Sequence, residues 1–297
     1  MIFDTHAHYD DEWFDGDREA LLRGLSARGV GTVVNVGASM RGSRASVALS
    51  EQYPFIYASV GVHPDDAEKM TEEDMAELRT LAGAPKVVAV GEIGLDYGFD
   101  EETSEEERTR LKELQHVWFR RQLALAAELA LPVIIHSRGA EGDTLAVMRE
   151  YAESFRGTAA NAHRTFKGGI IHCFSGSPET AAEYRKLGFH VGVGGVLTFK
   201  NAKRLPDVVA SAPLSQIVLE TDAPYMAPVP YRGKRNDSGY LPYVVAKIAE
   251  IKGIPEEEEV IRVTAANASA LFGLDASSGE QSQACPEKER DDPGEKR

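Results

Sequence analysis

Met1-Ile2-Phe3-Asp4-Thr5-His6-Ala7-His8 opens the chain, and its reading decides how the rest is understood. An apolar start running into alternating polar residues is the pattern of a short strand. In extended backbone alternate side chains share a face, so Asp4, His6 and His8 point the same way and the two imidazoles converge. Two histidines so placed can grip a metal ion. Outward from this stretch, further ligand-type residues follow other apolar runs: His63 after 56–60, Glu92 after 87–90, His136 after 132–135, His172 after 169–171 and Asp222 after 217–219. Their recurrence at the ends of successive strands describes one site.

The spacing predicts strands near 2–5, 31–36, 55–60, 87–90, 133–135, 169–171, 189–193 and 216–219. Segments of helical period lie between them near 17–28, 42–52, 72–82, 105–130, 143–155, 178–187 and 201–211, followed by helices near 240–252 and 256–272. Alternation of this kind signals a parallel sheet with crossover helices. Eight strands in 297 residues favour a closed (β/α)8 TIM barrel over an open doubly wound sheet. No Gly-x-Gly-x-x-Gly follows the first strand, which removes support for a dinucleotide fold. Pro255 suits a helix start and Gly273 a helix stop. Residues 1–275 form one barrel domain, and 276–297, polar and almost without apolar residues, form a disordered tail. The stretch 139–168 is long for one crossover and reads as a surface excursion.

Composition narrows the class. With 42% hydrophobic and 27% charged residues the chain is an ordinary soluble globular protein. No apolar run approaches the roughly 20 residues of a membrane span, and no leader-like segment precedes Asp4, so a cytoplasmic location without membrane association is expected. Two cysteines, Cys173 and Cys285, make neither a disulfide framework nor a zinc ribbon. The formal charge of -14 argues against tight, sequence-independent binding of duplex DNA, but leaves a nucleic-acid substrate open. The acidic runs in 65–77, 100–107 and 256–259 are read as solvated helix starts.

In such a barrel the C-terminal ends of all strands open on one face, where catalytic residues meet. The candidate ligands are nitrogen and oxygen only, which suits zinc, manganese, magnesium or iron without choosing among them. Four histidines and two carboxylates exceed the needs of one open catalytic ion, and Glu92 is placed to bridge two. Two ions about 3.5–4 Å apart could activate a water and stabilise a leaving oxygen. His116, His163 and His190 lie away from strand C-terminal ends and are read as structural or solvated. Cys173 is read as a buried thiol, and Tyr97, Phe174 and Tyr225 as packing residues before base-stacking ones.

These motifs resemble the TatD family of metal-dependent deoxyribonucleases, within the amidohydrolase-like barrel superfamily. The matching pieces are 3–8, Val60-Gly61-Val62-His63-Pro64, Gly91-Glu92-Ile93-Gly94-Leu95-Asp96-Tyr97, Pro132 to Arg138, His172-Cys173-Phe174-Ser175-Gly176, Leu219 to Tyr225, and Arg232-Gly233-Lys234-Arg235-Asn236. They run in order over nearly everything except the tail. The resemblance implies cleavage of DNA phosphodiester bonds, as a 3′-5′ exonuclease on single strands, with two divalent ions (Mg2+, Mn2+ or Zn2+). It implies that His6, His8 and Asp222 hold one ion and His136 and His172 the other, with Glu92 bridging. His63 would contact substrate phosphate or a further ion, and Asp222 would serve as general base.

The sequence departs from the family where Gly139-Ala140-Glu141 follows His-Ser-Arg, and where Asp237-Ser238-Gly239 follows Asn236, so substrate contacts carry over less firmly than ligands. Arg138, Arg232 and Lys234 are the expected phosphate contacts, since loops after the last strands of these barrels often bind phosphate. DNA is the expected partner, with no obligate protein partner evident. Two other readings compete. One is hydrolysis of an amide, lactone or phosphotriester on a related barrel; such relatives often bridge their metals with a carboxylated lysine near strand four, where this chain has Glu92. The other is a catalytically silent barrel that binds nucleic acid or protein, against which the complete ligand set speaks.

Overall fold

Eight strands pair in parallel, each with its successor in sequence. They are β1 (Ile2–Ala7), β2 (Val30–Val36), β3 (Ile56–Val60), β4 (Val87–Asp96), β5 (Val133–Arg138), β6 (Gly169–Ile171), β7 (Phe189–Val193) and β8 (Ile217–Leu219). Between and after them run α1 (Arg18–Gly24), α2 (Met40–Gln52), α3 (Glu72–Leu81), α4 (Glu105–Leu129), α5 (Glu141–Glu153), α6 (Pro178–Lys186), α7 (Leu205–Ser211), α8 (Leu241–Lys252) and α9 (Glu257–Phe272). This computed structural model describes residues 1–155 and 166–274. The whole of the expected tail, 276–297, part of the 139–168 excursion, His163 and Cys285 therefore lie outside the described residues.

The barrel closes where β1 meets β8. The His8 amide donates to the Ala223 carbonyl at 2.7 Å, and the Thr5 hydroxyl donates to the Leu219 carbonyl at 2.9 Å. Strands in such a barrel are covered on both faces, so they read as continuous β-branched runs; all ten residues of β4 are buried. Helix ends follow local chemistry. Thr71 and Asp74 make a reciprocal capping box at α3, the Ser104 side chain caps α4, and Gly273 ends α9 in the left-handed conformation.

One apolar cluster sets the floor beneath the site. Phe3, Val34, Ala89, Ile134, Ile170 and Val218 come from six strands and pack with Ala268 and Phe272 of α9. On five of those strands this residue precedes the candidate ligand, so the cluster holds the ligand-bearing ends at a common level. Truncating Ile134, fully buried, to alanine would cost about 2–5 kcal/mol.

Three strands extend further than the sequence pattern suggests. β1 continues through His6 to Ala7, β5 through His136 to Arg138, and β4 through Glu92 to Asp96. Within a paired strand glycine marks close approach of another backbone. A Cβ on Gly94, whose φ is 155°, would lie 2.0 Å from the His136 carbonyl oxygen. Only glycine allows β4 and β5 to pair there.

Candidate metal centre

Glu92 stands at the centre of the strand ends, with its two carboxylate oxygens turned to different histidines. Oε2 lies 3.4 Å from His6 Nε2 and 3.7 Å from His8 Nε2. Oε1 lies 2.9 Å from His136 Nδ1, and 3.9 Å from both His63 Nε2 and His172 Nε2. Asp222 Oδ1 faces the first set, 3.8 Å from His6 Nε2 and 3.5 Å from His8 Nε2, and stands 3.7 Å from His172 Nε2. The Nε2 atoms of His6 and His8 are only 3.1 Å apart. Because the carbonyl of Val36 can only accept, His8 Nδ1 donates to it at 2.8 Å, and Nε2 is left facing the centre.

The local backbone is built to hold these atoms. Asp222 sits in the left-handed region at φ 57°, a conformation that aspartate tolerates better than most residues. Its amide donates to the His6 carbonyl at 2.9 Å, tying the two ligand-bearing segments together. Asp4, on the same strand as His6, does not reach the centre. Its buried carboxylate accepts from the amides of His6 and Thr221 and from the hydroxyls of Thr221 and Ser238, at 2.6–3.2 Å. Burial nonetheless pushes this group up to about 7. Asp4 braces β1 against the segment after β8.

Two carboxylates outside the expected ligand set line the centre. Asp96 Oδ2 lies 2.8 Å from His136 Nε2, so both ring nitrogens of His136 face carboxylates. Glu220 accepts the Cys173 amide on Oε1 at 2.6 Å and brings Oε2 to 3.2 Å from His172 Nδ1. A Cβ on Gly192 would lie 2.0 Å from Glu220 Oε2, so glycine makes the room for that carboxylate. A signal for both was in plain view. Asp96 shares a motif with Glu92 and Glu220 shares one with Asp222, but the apolar run of β4 ends at Val90, short of Asp96, and Glu220 precedes an obvious ligand.

Donor atoms gather in three groups among the described residues: His6 with His8 and Asp222, His6 with His172 and Glu220, and His63 with Asp96 and His136. His136 thus falls with His63, and His172 with His6, while Glu92 faces both sides. The electrostatics fit a cation. Burial opposes protonation of His8, His136 and His172, yet their carboxylate neighbours outweigh it and raise each to about 9. His6 is pushed down to about 4 by burial and by His172, and burial also lowers His63. Glu92, Asp96 and Asp222 all lie below the usual carboxylate range, because imidazoles, joined at Asp96 by the Arg138 guanidinium and the Gly98 amide, outweigh the burial that would raise them. The carboxylates that draw protons onto these rings would attract a divalent ion in place of those protons.

The expected phosphate contacts stand further out. Arg138 Nε donates to Asp96 Oδ1 at 2.9 Å while its side chain is 60% exposed, so the rest of the guanidinium faces outward beside the site. Arg232 is exposed, with its guanidinium carbon 4.4 Å from the Phe199 ring centroid, and Lys234 is exposed on the same loop. Arg235 is instead tied to Asp17 at 2.6 Å. Phe174 is buried as expected, whereas Tyr225 is 47% exposed and is no packing residue. The Cys173 thiol is held well above its usual range by burial and lies 3.7 Å from Met226 Sδ.

The family model described as TatD related DNase matches residues 3–273. The chain belongs to the TatD family. It is a TatD-family metal-dependent hydrolase. A metal-dependent hydrolase of Bacillus subtilis, YabD, is 42% identical over 92% of this chain and 100% of its own length. A TatD protein of Cronobacter sakazakii named as a 3′-5′ ssDNA/RNA exonuclease is 33% identical over 93% of this chain and 99% of its own. Among solved structures, the TatD homologue YjjV of Escherichia coli superposes with a TM-score of 0.81 at 32% identity, over 92% of this chain and 98% of that one. No helix among the described residues is long and apolar enough to cross a membrane.

Proposed function

We propose that this TatD-family hydrolase removes nucleotides from the 3′ end of single-stranded DNA with two divalent ions. The observation that carries the two-ion reading is the division of Glu92, with Oε2 toward His6 and His8 and Oε1 toward His136 and His172. A bridging carboxylate requires that arrangement. His6, His8 and Asp222 would hold one ion and His136 the other, with His172, 3.7 Å from Asp222 and 3.9 Å from Glu92, standing between them as the shared candidate for the second, after the protons on His8, His136 and His172 leave. The substrate class is supported by a full-length relative named as a 3′-5′ ssDNA/RNA exonuclease.

Ions held there supply Lewis acidity, lowering the pKa of a water and offsetting charge on the leaving oxygen. The protein's own residues do the rest. Asp222, ionised at neutral pH, accepts the proton of the attacking water. Val36 fixes the ring of His8, and Glu220 stands 3.2 Å from His172 Nδ1, so that Nε2 of each ring faces the centre. Arg138 and Arg232 hold phosphate through guanidinium nitrogens, Lys234 adds a point charge, and His63 reaches the phosphate nearest Glu92.

An end-labelled single-stranded oligonucleotide, its duplex and its 3′-blocked form test the reading, with divalent ions restored after chelation. The unblocked single strand is expected to shorten from the 3′ end only with metal. Turnover of amide or lactone substrates without release of nucleotides from DNA or RNA would replace this proposal with small-molecule hydrolysis.

A further inference from the structure

Trp13 and Tyr225 are among the few large apolar side chains left open, at 56% and 47% exposure, and they stand together with ring centroids 6.2 Å apart. Trp13 follows β1, five residues past His8. Tyr225 follows β8, three residues past Asp222, and its amide donates to the Asp222 carbonyl at 2.8 Å. The pair therefore lies on the rim directly beside the His8 and Asp222 side of the centre.

The Trp13 backbone and the Tyr225 hydroxyl are fixed by bonds that span the barrel's closing seam. Asp11 joins them, accepting the Trp13 amide on Oδ1 at 2.8 Å and the Tyr225 hydroxyl on Oδ2 at 2.9 Å. Arg235 donates to the Trp13 carbonyl at 2.7 Å, and Asn236 Nδ2 to the Tyr225 carbonyl at 2.8 Å. Both rings nonetheless face solvent from these anchored positions. Tryptophan in particular is usually well covered.

The charge around the pair selects what it receives. Asp10, Asp11, Asp15 and Asp17 share the loop that carries Trp13, which disfavours a phosphate there. Arg232 lies toward the β7 side of the β8 loop, over Phe199, while Tyr225 lies toward β1. The exposed guanidinium of Arg232 and the flat apolar pair thus have different neighbours on the loop after β8. We infer that Trp13 and Tyr225 form a stacking shelf for a nucleobase of the substrate strand beside the scissile phosphate. The inference rests on the phosphodiesterase reading of the site and adds the base contact that the metal centre lacks.

Stacking on an aromatic side chain accepts any base, so the shelf confers a need for a base without a choice of sequence. Removing one ring should weaken oligonucleotide binding about 5- to 150-fold. The test compares a single-stranded oligonucleotide with one of equal length carrying abasic residues at its 3′ end, using wild type, Trp13→Ala, Trp13→Phe and Tyr225→Ala. Wild type should prefer the base-bearing strand in KM, and Trp13→Ala should bring the two KM values together, with Trp13→Phe between. Equal KM values for the two strands in wild type, or a preference unchanged in both alanine variants, would overturn the shelf while leaving the nuclease reading intact.

Fluorescence gives a readout independent of cleavage. Trp13 is open and the other tryptophan, Trp118, is only 9% exposed. Thymidine monophosphate added in the presence of chelator should quench wild-type emission and not that of Trp13→Phe. An enzyme that cleaves no nucleic acid but shows this quenching would fail the functional reading and keep the shelf; absence of quenching would remove the shelf as well.

Discussion

Glu92→Gln keeps the shape of the central side chain and removes one negative charge. Glu92 Oε2 lies 3.4 Å from His6 Nε2. At that separation a unit charge contributes about 5 kcal/mol with an effective dielectric constant of about 20. A cation held against this oxygen loses at least that attraction in the variant, since Asp222 and Glu220 remain but are not re-aimed. Metal affinity should then fall by about 10³-fold or more. Equilibrium dialysis of metal-free protein against graded metal, with content measured by mass spectrometry, reads the loss directly. Circular dichroism of the same samples separates metal loss from unfolding. Two tightly held equivalents of metal and near-normal kcat in folded Glu92→Gln would refute the bridging role.

Asp222→Asn, which keeps shape but removes the proton acceptor, should lower kcat by about 10²–10⁴-fold in metal-replete enzyme; near-normal kcat with metal content verified would remove Asp222 as the base. Arg232→Ala should raise KM for an oligonucleotide and flatten the salt dependence of binding with metal content intact, and an unchanged salt slope would take Arg232 out of the phosphate contacts. In metal-free protein, His8, His136 and His172 are raised from 6.5 to about 9, so their stabilising contribution is complete below pH 6.5 and lost as pH rises through 9. Thermal melts should accordingly show a lower Tm at pH 9.5 than at pH 6.5, by an amount that shrinks in His136→Gln; a pH-independent Tm would contradict the carboxylate-held protons. Truncation after Leu274 should change neither Tm nor turnover, because the residues beyond it carry no apolar periodicity, and a clear drop in either would show that they dock.

How much could be read from the chain follows from where the physics is local. Alternation of β-branched runs with helical periods is a short-range pattern, so eight strands, their order and the barrel were legible before any coordinates. The order of His6, Glu92, His136, His172 and Asp222 along successive strands followed from the same pattern, although β1, β4 and β5 run on past their ligands. Pairings across the barrel were not legible, because they depend on register between strands that are distant in sequence. Asp96 on His136 requires β4 to run past Gly91 and Gly94, and Glu220 on His172 requires the room left at Gly192. Asp4 shares a strand face with His6, yet the Thr221 and Ser238 hydroxyls claim its carboxylate for the closing seam. Trp13 and Tyr225, separated by more than 200 positions, become neighbours only because a closed barrel sets its first strand beside its last.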